Sequence, residues 1–221
     1  MKNFFMVNFK ISLAVVWTLI VVSTGYAEPE CYEIPVLKEK KEPVNLVSPS
    51  MPTFENAMTA EQDAQKRIEA KRKSIAALFQ QYNKKLDDGK AHDYADFIMQ
   101  ACDRFNQDPF VIAAMVVNES SARSDAVSKG GDYGLMQVRW RVHQKKIQKQ
   151  YPHIEEAKDI LNPEYNVLVG TEIFSTYRAT AKQDVRGALM YYSAGNKRLA
   201  DKVFAVLSKL EKSYIERLKN S

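Results

Sequence analysis

Glu119 is the side chain in this 221-residue sequence best placed for acid chemistry. It follows an unbroken apolar run, Phe110 to Val117, so it is drawn toward a core, and burial disfavours the charged form of a carboxyl. The run opens on Asp108-Pro109, a cap residue followed by proline at the first helical position, which predicts a helix buried all round. Val111, Ile112, Val116 and Val117 would also suit a buried strand, but the cap and Ala113-Ala114 favour the helix. Glu119 then stands at the helix C-terminus, where the negative end of the dipole opposes an anion. Both effects raise its pKa, and a carboxyl that keeps its proton near neutral pH is what a general acid needs. The plain alternative is a polar helix end turned into solvent.

Other chemistries find little support. His92, His143 and His153 form no ligand set with cysteines or carboxylates, and neither a Gly-x-Ser-x-Gly elbow nor a phosphate loop occurs, so no metal or cofactor is expected. The 32 Lys+Arg against 27 Asp+Glu leave a net charge of +5, and Lys2 and Lys10 of that surplus lie in the first 27 residues. So mild a balance is not a nucleic-acid footprint, although it suits an anionic substrate. With 8 Gly, 8 Pro and 2 Cys, collagen-like, low-complexity and disulfide-stapled classes are excluded.

The elements that must position Glu119 come next. Residues 1–27 read as a signal peptide: a charged start ending at Lys10, an apolar run from Ile11 to Val22, and small-X-small at Gly25-Tyr26-Ala27. That run falls short of the roughly 20 residues a bilayer span needs, and an uncleaved inner-membrane anchor is the alternative. Export would permit a Cys31–Cys102 disulfide, while the place of Cys102 on an apolar helix face reads equally as a buried thiol. Residues 28–58 hold five prolines and the run Lys38-Glu39-Lys40-Lys41-Glu42, a linker or extended tail. Residues 59–90 form a helix opened by a Thr59/Gln62 capping box and closed by Gly89, with Ala64, Ile68, Ile75, Phe79, Tyr82 and Leu86 on its apolar side. Its charged side is a solvated face or a partner-binding one. Residues 91–221 then form a single mainly α catalytic domain. Helices are expected from about Asp93, over the apolar run, from Leu135 to Val138 onward, after Asn162-Pro163, from Asp184 to about Tyr192, and at the C-terminus; no strand pattern is evident.

Glu119-Ser120, Ala126-Val127-Ser128, Gly131, Gly134-Leu135-Met136-Gln137, Asn162-Pro163 with Asn166 and Gly170, and Ala188-Leu189 with Tyr192 and Gly195 follow in one order. In that order the chain, over about residues 92–210, resembles the soluble lytic transglycosylase catalytic domain, related to goose-type lysozymes. The resemblance implies a lysozyme-like helical fold and cleavage of the β-1,4 bond between N-acetylmuramic acid and N-acetylglucosamine in peptidoglycan. It implies that Glu119 is the single catalytic acid/base, that Ser128 lies near the substrate N-acetyl group, that Met136 and Gln137 line the cleft, and that Tyr192 faces the glutamate. Two positions depart from the family pattern: Asp132 stands where alanine is usual, and Ser193 where asparagine is usual.

Ordinary glycoside hydrolysis uses two carboxylates, one of them serving water or acting as nucleophile. One acid suffices if the muramic sugar's own C6 hydroxyl attacks, giving a 1,6-anhydro product. Asp132 therefore reads either as a turn residue of the Gly-rich loop, which leaves the lyase reading intact, or as a water-orienting carboxylate of a muramidase. Tyr133, Trp140 and Tyr191 are candidate sugar platforms or packing residues, and Arg139, Arg141, Lys145, Lys146 and Lys149 a wet face or a steering surface for acidic peptide stems. The expected setting is a periplasmic monomer acting on glycan strands, with docking to an envelope secretion, conjugation or pilus complex open. A peptidoglycan-binding scaffold with vestigial activity is the reading from a different class.

Overall fold

The computed structural model describes residues 54–220; the signal peptide, nearly all of the tail and Cys31 lie outside the described residues. Among the described residues seven α-helices run in the order α1 (Phe54–Tyr82), α2 (Asp88–Phe105), α3 (Pro109–Ser120), α4 (Trp140–Gln150), α5 (Pro163–Thr180), α6 (Val185–Tyr192) and α7 (Lys197–Lys219). Between α3 and α4 lie two short strands, β1 (Asp132–Tyr133) and β2 (Val138–Arg139). The fold is mainly α, and among the described residues no helix is long and apolar enough to cross a membrane.

Local chemistry explains where the helices begin and end. α1 starts before Thr59, whose hydroxyl donates to the Glu55 carbonyl at 3.1 Å inside the helix, so no capping box forms there. It stops at Tyr82, short of Gly89, because Asp87 opens a new helix by accepting from the Lys90 amide at 2.9 Å. Gly89 thus lies in the first turn of α2. Only the second half of α1 meets the core, through Ala70, Ile75, Leu78 and Phe79, whereas Ile68 and Tyr82 stay exposed. Asp108, Asn162, Asp184 and Asn196 cap α3, α5, α6 and α7 in the same way, each accepting backbone amides with its side chain.

α3 is the axis of the fold. Every residue from Phe110 to Val117 is buried, with α1, α2 and α7 packed around it, and each large side chain so covered contributes about 1.5–3 kcal/mol. At its start the Phe110 ring meets Tyr214 of α7 edge-on, centroids 5.3 Å apart. α1 is tied to α2 by the forked pairing of Arg72 with Asp96, 2.8 Å at Nη2–Oδ2. Cys102 is a buried thiol of α2, and burial pushes its pKa up.

The helix expected from Leu135 is instead a turn. β1 pairs antiparallel with β2 in the register Asp132 to Arg139 and Tyr133 to Val138, and α4 begins only at Trp140. Gly134 and Gln137 both adopt left-handed backbone, which no α-helix accommodates, and that geometry drives Leu135 and Met136 fully into the core.

Candidate active site

α3 ends where Ser121 and Ala122 turn left-handed, φ 54° and 55°, the Ser121 amide donating to the Val117 carbonyl at 3.0 Å. Left-handed backbone at two successive non-glycine residues is costly, and it stops the helix one turn after its apolar run. Glu119 is left half-buried in the last turn, on the wall of a cleft of about 490 Å³. Burial first, and the negative charge of Asp132 second, raise its pKa from 4.5 to about 7. Solvation loss is the leading cause, as the sequence pattern implied, but the second cause comes from a different wall.

That wall is the hairpin. Asp132 lines the cleft opposite its strand partner Arg139, whose Nε and Nη2 donate to its Oδ1 and Oδ2 at 2.6 and 3.0 Å. The Ser128 hydroxyl donates to Oδ2 at 2.8 Å and itself accepts from the amides of Gly130 and Asp132. The Arg139 guanidinium first, then the Ser128 hydroxyl, hold the Asp132 carboxyl below its ordinary range against the opposing effect of burial. Asp132 braces the Gly-rich turn, the first of its two readings, and it also lines the cleft as an anion held in an ion pair. The hydroxyl proton of Ser128 is committed to it.

Gln137 also lines the cleft, in left-handed backbone at φ 50°, with its Nε2 donating to the carbonyls of Ala126 and Gly134. Met136 does not line it. Its side chain is fully buried against Gly170 of α5, where an added Cβ would stand 2.6 Å from the sulfur. Its carbonyl accepts from the half-buried Tyr192 hydroxyl at 2.8 Å. The Tyr192 phenol lines the cleft and is held well above its ordinary pKa by burial first and by Glu119 next, so it stays protonated. Its single proton goes to Met136 and not to Glu119. Tyr133 packs partly buried against the core, away from the cleft lining.

The hairpin is locked onto α5 by Asn166, wholly buried, which donates to the carbonyls of Tyr133 and Ile160 and accepts from the Met136 amide at 2.7 Å. A Cβ on Gly134 would collide with this amide, so the glycine is required twice, by its positive φ and by this close approach. Ser193 turns its hydroxyl back to the Leu189 carbonyl at 2.8 Å and caps its own helix.

His143 and Lys202 were not foreseen as cleft residues, and Arg139 and Tyr191 take specific places there. Arg139 belongs to the basic stretch read as a wet face and is exposed as that reading has it, and it is also the ion-pair partner of Asp132. His143 lines the cleft with burial first, then Lys146 and Arg139, lowering its pKa, so its ring is biased to the neutral form. Lys146 itself turns away, 3.1 Å from Glu172. Tyr191, half exposed, stacks on Tyr177 at 6.1 Å and 26° on the cleft wall, whereas Trp140 packs against the core. Lys202 of α7 closes the lining. The arrangement offers one proton donor, one fixed anion, a neutral phenol and a stacked aromatic pair.

Residues 96–215 match the family model described as transglycosylase SLT domain. No curated protein matches the chain.

Proposed function

Because this chain belongs to the transglycosylase SLT domain family, whose lysozyme-like domains act on peptidoglycan outside the cytoplasm, we propose that it is a lytic transglycosylase with Glu119 as its only acid/base. One observation carries the reading: a half-buried carboxyl raised to about 7 faces a second carboxylate whose two oxygens are already engaged. Glu119 gives its proton to the glycosidic oxygen leaving C1 of the muramic sugar. It then takes the proton of that sugar's C6 hydroxyl as the hydroxyl oxygen bonds to C1. The product is a 1,6-anhydro end, and no water enters. Intramolecular attack is favoured because the nucleophile is already held beside C1, which removes the entropy of recruiting it.

Tyr192 serves this step by holding the Met136 carbonyl, and with it the Gly134–Gln137 turn, at a set distance from Glu119. Gln137 lines the groove along which the glycan lies, Ser128 acts through Asp132, and the Tyr177–Tyr191 pair offers a face to a sugar ring. Digestion of purified sacculi followed by mass spectrometry tests the reading. Anhydro ends are expected; reducing ends, heavier by one water, would overturn it.

The muramidase reading keeps one specific observation in its favour, that Asp132 lies in the same cleft as Glu119. Against it stands the ion pair that lowers the basicity of Asp132. The apolar leader supports delivery to the periplasm, and the exposed stretch 58–68 of α1, which carries Glu61, Asp63, Lys66 and Arg67, offers a surface for docking to an envelope complex as a monomer.

A further inference from the structure

We propose that Arg139 determines the product, by covering both oxygens of Asp132 so that Asp132 cannot serve as a second base that takes a proton from water. This rests on the lyase reading above and extends it to the residue that keeps the reaction dry. The geometry is specific. Arg139 stands directly opposite Asp132 in the β1–β2 register and meets it with two parallel bonds, 2.6 Å from Nε to Oδ1 and 3.0 Å from Nη2 to Oδ2. The Ser128 hydroxyl adds a third donor, at Oδ2. A carboxylate in this state has little capacity left to bind and deprotonate a water molecule, and the planar guanidinium matches it as no lysine could.

Asp132 is otherwise suited to that work. Its side chain is 16% exposed, it lines the same cleft as Glu119, and its charge is felt at Glu119. Uncovered, it would complete a pair of carboxyls of the kind that hydrolyses glycosides. Glu119 would still protonate the leaving oxygen. The oxygen of a water would bond to C1 in place of the C6 oxygen, and the proton released by that water would pass to Asp132. The C1–O4 bond breaks in both reactions; only the nucleophile differs. Arg139 is on this account a positioning residue acting through Asp132, and its 44% exposed side chain reaches the pair from the solvent side.

The test is the ratio of reducing to anhydro ends released from purified sacculi by the full mature chain. Wild type should give anhydro ends. Arg139→Gln, which keeps length and polarity but removes the charge and the fork, should raise the reducing-end fraction by on the order of tenfold, below the range a well-positioned general base supplies. Arg139→Lys, which can cover only one oxygen at a time, should raise it less, and it carries the test if the glutamine variant does not fold. Adding Asp132→Asn to either variant should return the ratio to that of wild type. An unchanged ratio in every folded Arg139 variant would overturn the proposal, as would an increase that survives Asp132→Asn. Reducing ends from the wild type would instead overturn the lyase reading itself, a result visible before any variant is made.

Discussion

The C-terminal turn of α3 and the β1–β2 hairpin face one cleft, and each contributes a carboxyl. Glu119 sits at the negative end of a buried helix with no ion pair among the described residues, and burial raises it to about 7. Asp132 is also partly buried, yet Arg139 and Ser128 hold it low. Both groups lose water, and only the one given donors keeps its charge. The difference teaches that burial alone does not make an acid: what matters is whether the surroundings supply hydrogen bonds to the anion. The two are also coupled, since the stabilised anion on the hairpin helps the helix carboxyl keep its proton.

Removing the helix side of the pair should have the largest effect. Glu119→Gln should lower turnover on sacculi by on the order of 10²-fold or more, while the melting transition persists. Its effect on stability should have the opposite sign above neutrality. The folded state binds the Glu119 proton more tightly than the unfolded chain, so this group costs stability as pH rises from 4.5 toward about 7, and the full cost remains above that. At pH 8 the glutamine variant should therefore melt higher than wild type, and at pH 4 the gap should close. Equal melting temperatures at pH 8 would show that the carboxyl is not desolvated as described.

Loosening the hairpin side comes next. Asn166→Ala strips partners from the Met136 amide and from the Tyr133 and Ile160 carbonyls, and should cost about 2–4 kcal/mol in denaturant unfolding. Asp132→Asn sharpens the comparison more finely. Without the hairpin charge, Glu119 should release its proton at lower pH, and the limb on which activity declines above neutrality should move down by about one unit or less. A limb that does not move would mean that the two walls are electrostatically independent. The smallest effect is expected outside the pair: Tyr191→Ala should raise KM by about fivefold through lost stacking and leave kcat nearly unchanged.

The helix wall was far more legible in the sequence than the hairpin wall. Asp108-Pro109 and the apolar run fixed α3 within a residue or two, and the place of Glu119 at its end followed from the same pattern. The starts at Asn162 and Asp184 were equally plain, because a cap is a local interaction between near neighbours. The hairpin depends on contacts across long stretches of chain. Leu135-Met136-Gln137-Val138 reads as helix until Asn166, thirty residues on, claims the Met136 amide. Gly134 was the available signal, since a glycine required by positive φ marks a turn, and recognising the turn would have set Asp132 opposite Arg139. Without that register Arg139 counted as one more surface cation. The partner of Tyr192 was hidden for a related reason: the buried Met136 carbonyl created by the turn takes the phenol's only proton. The Gly89 signal misplaced the end of α1 because Asp87 is the stronger start signal, and α1 begins at Phe54, ahead of Thr59.

The central claim is that Glu119 holds a proton near neutral pH while Asp132 faces it ionised. Carbon-detected NMR titration of the side-chain carboxyls, assigned by comparison with Glu119→Gln and Asp132→Asn, measures both groups in one experiment. The account predicts a Glu119 midpoint near 7 and an Asp132 midpoint below the ordinary aspartate value of 3.8. A Glu119 midpoint near 4.5, or both carboxyls titrating together, would contradict it.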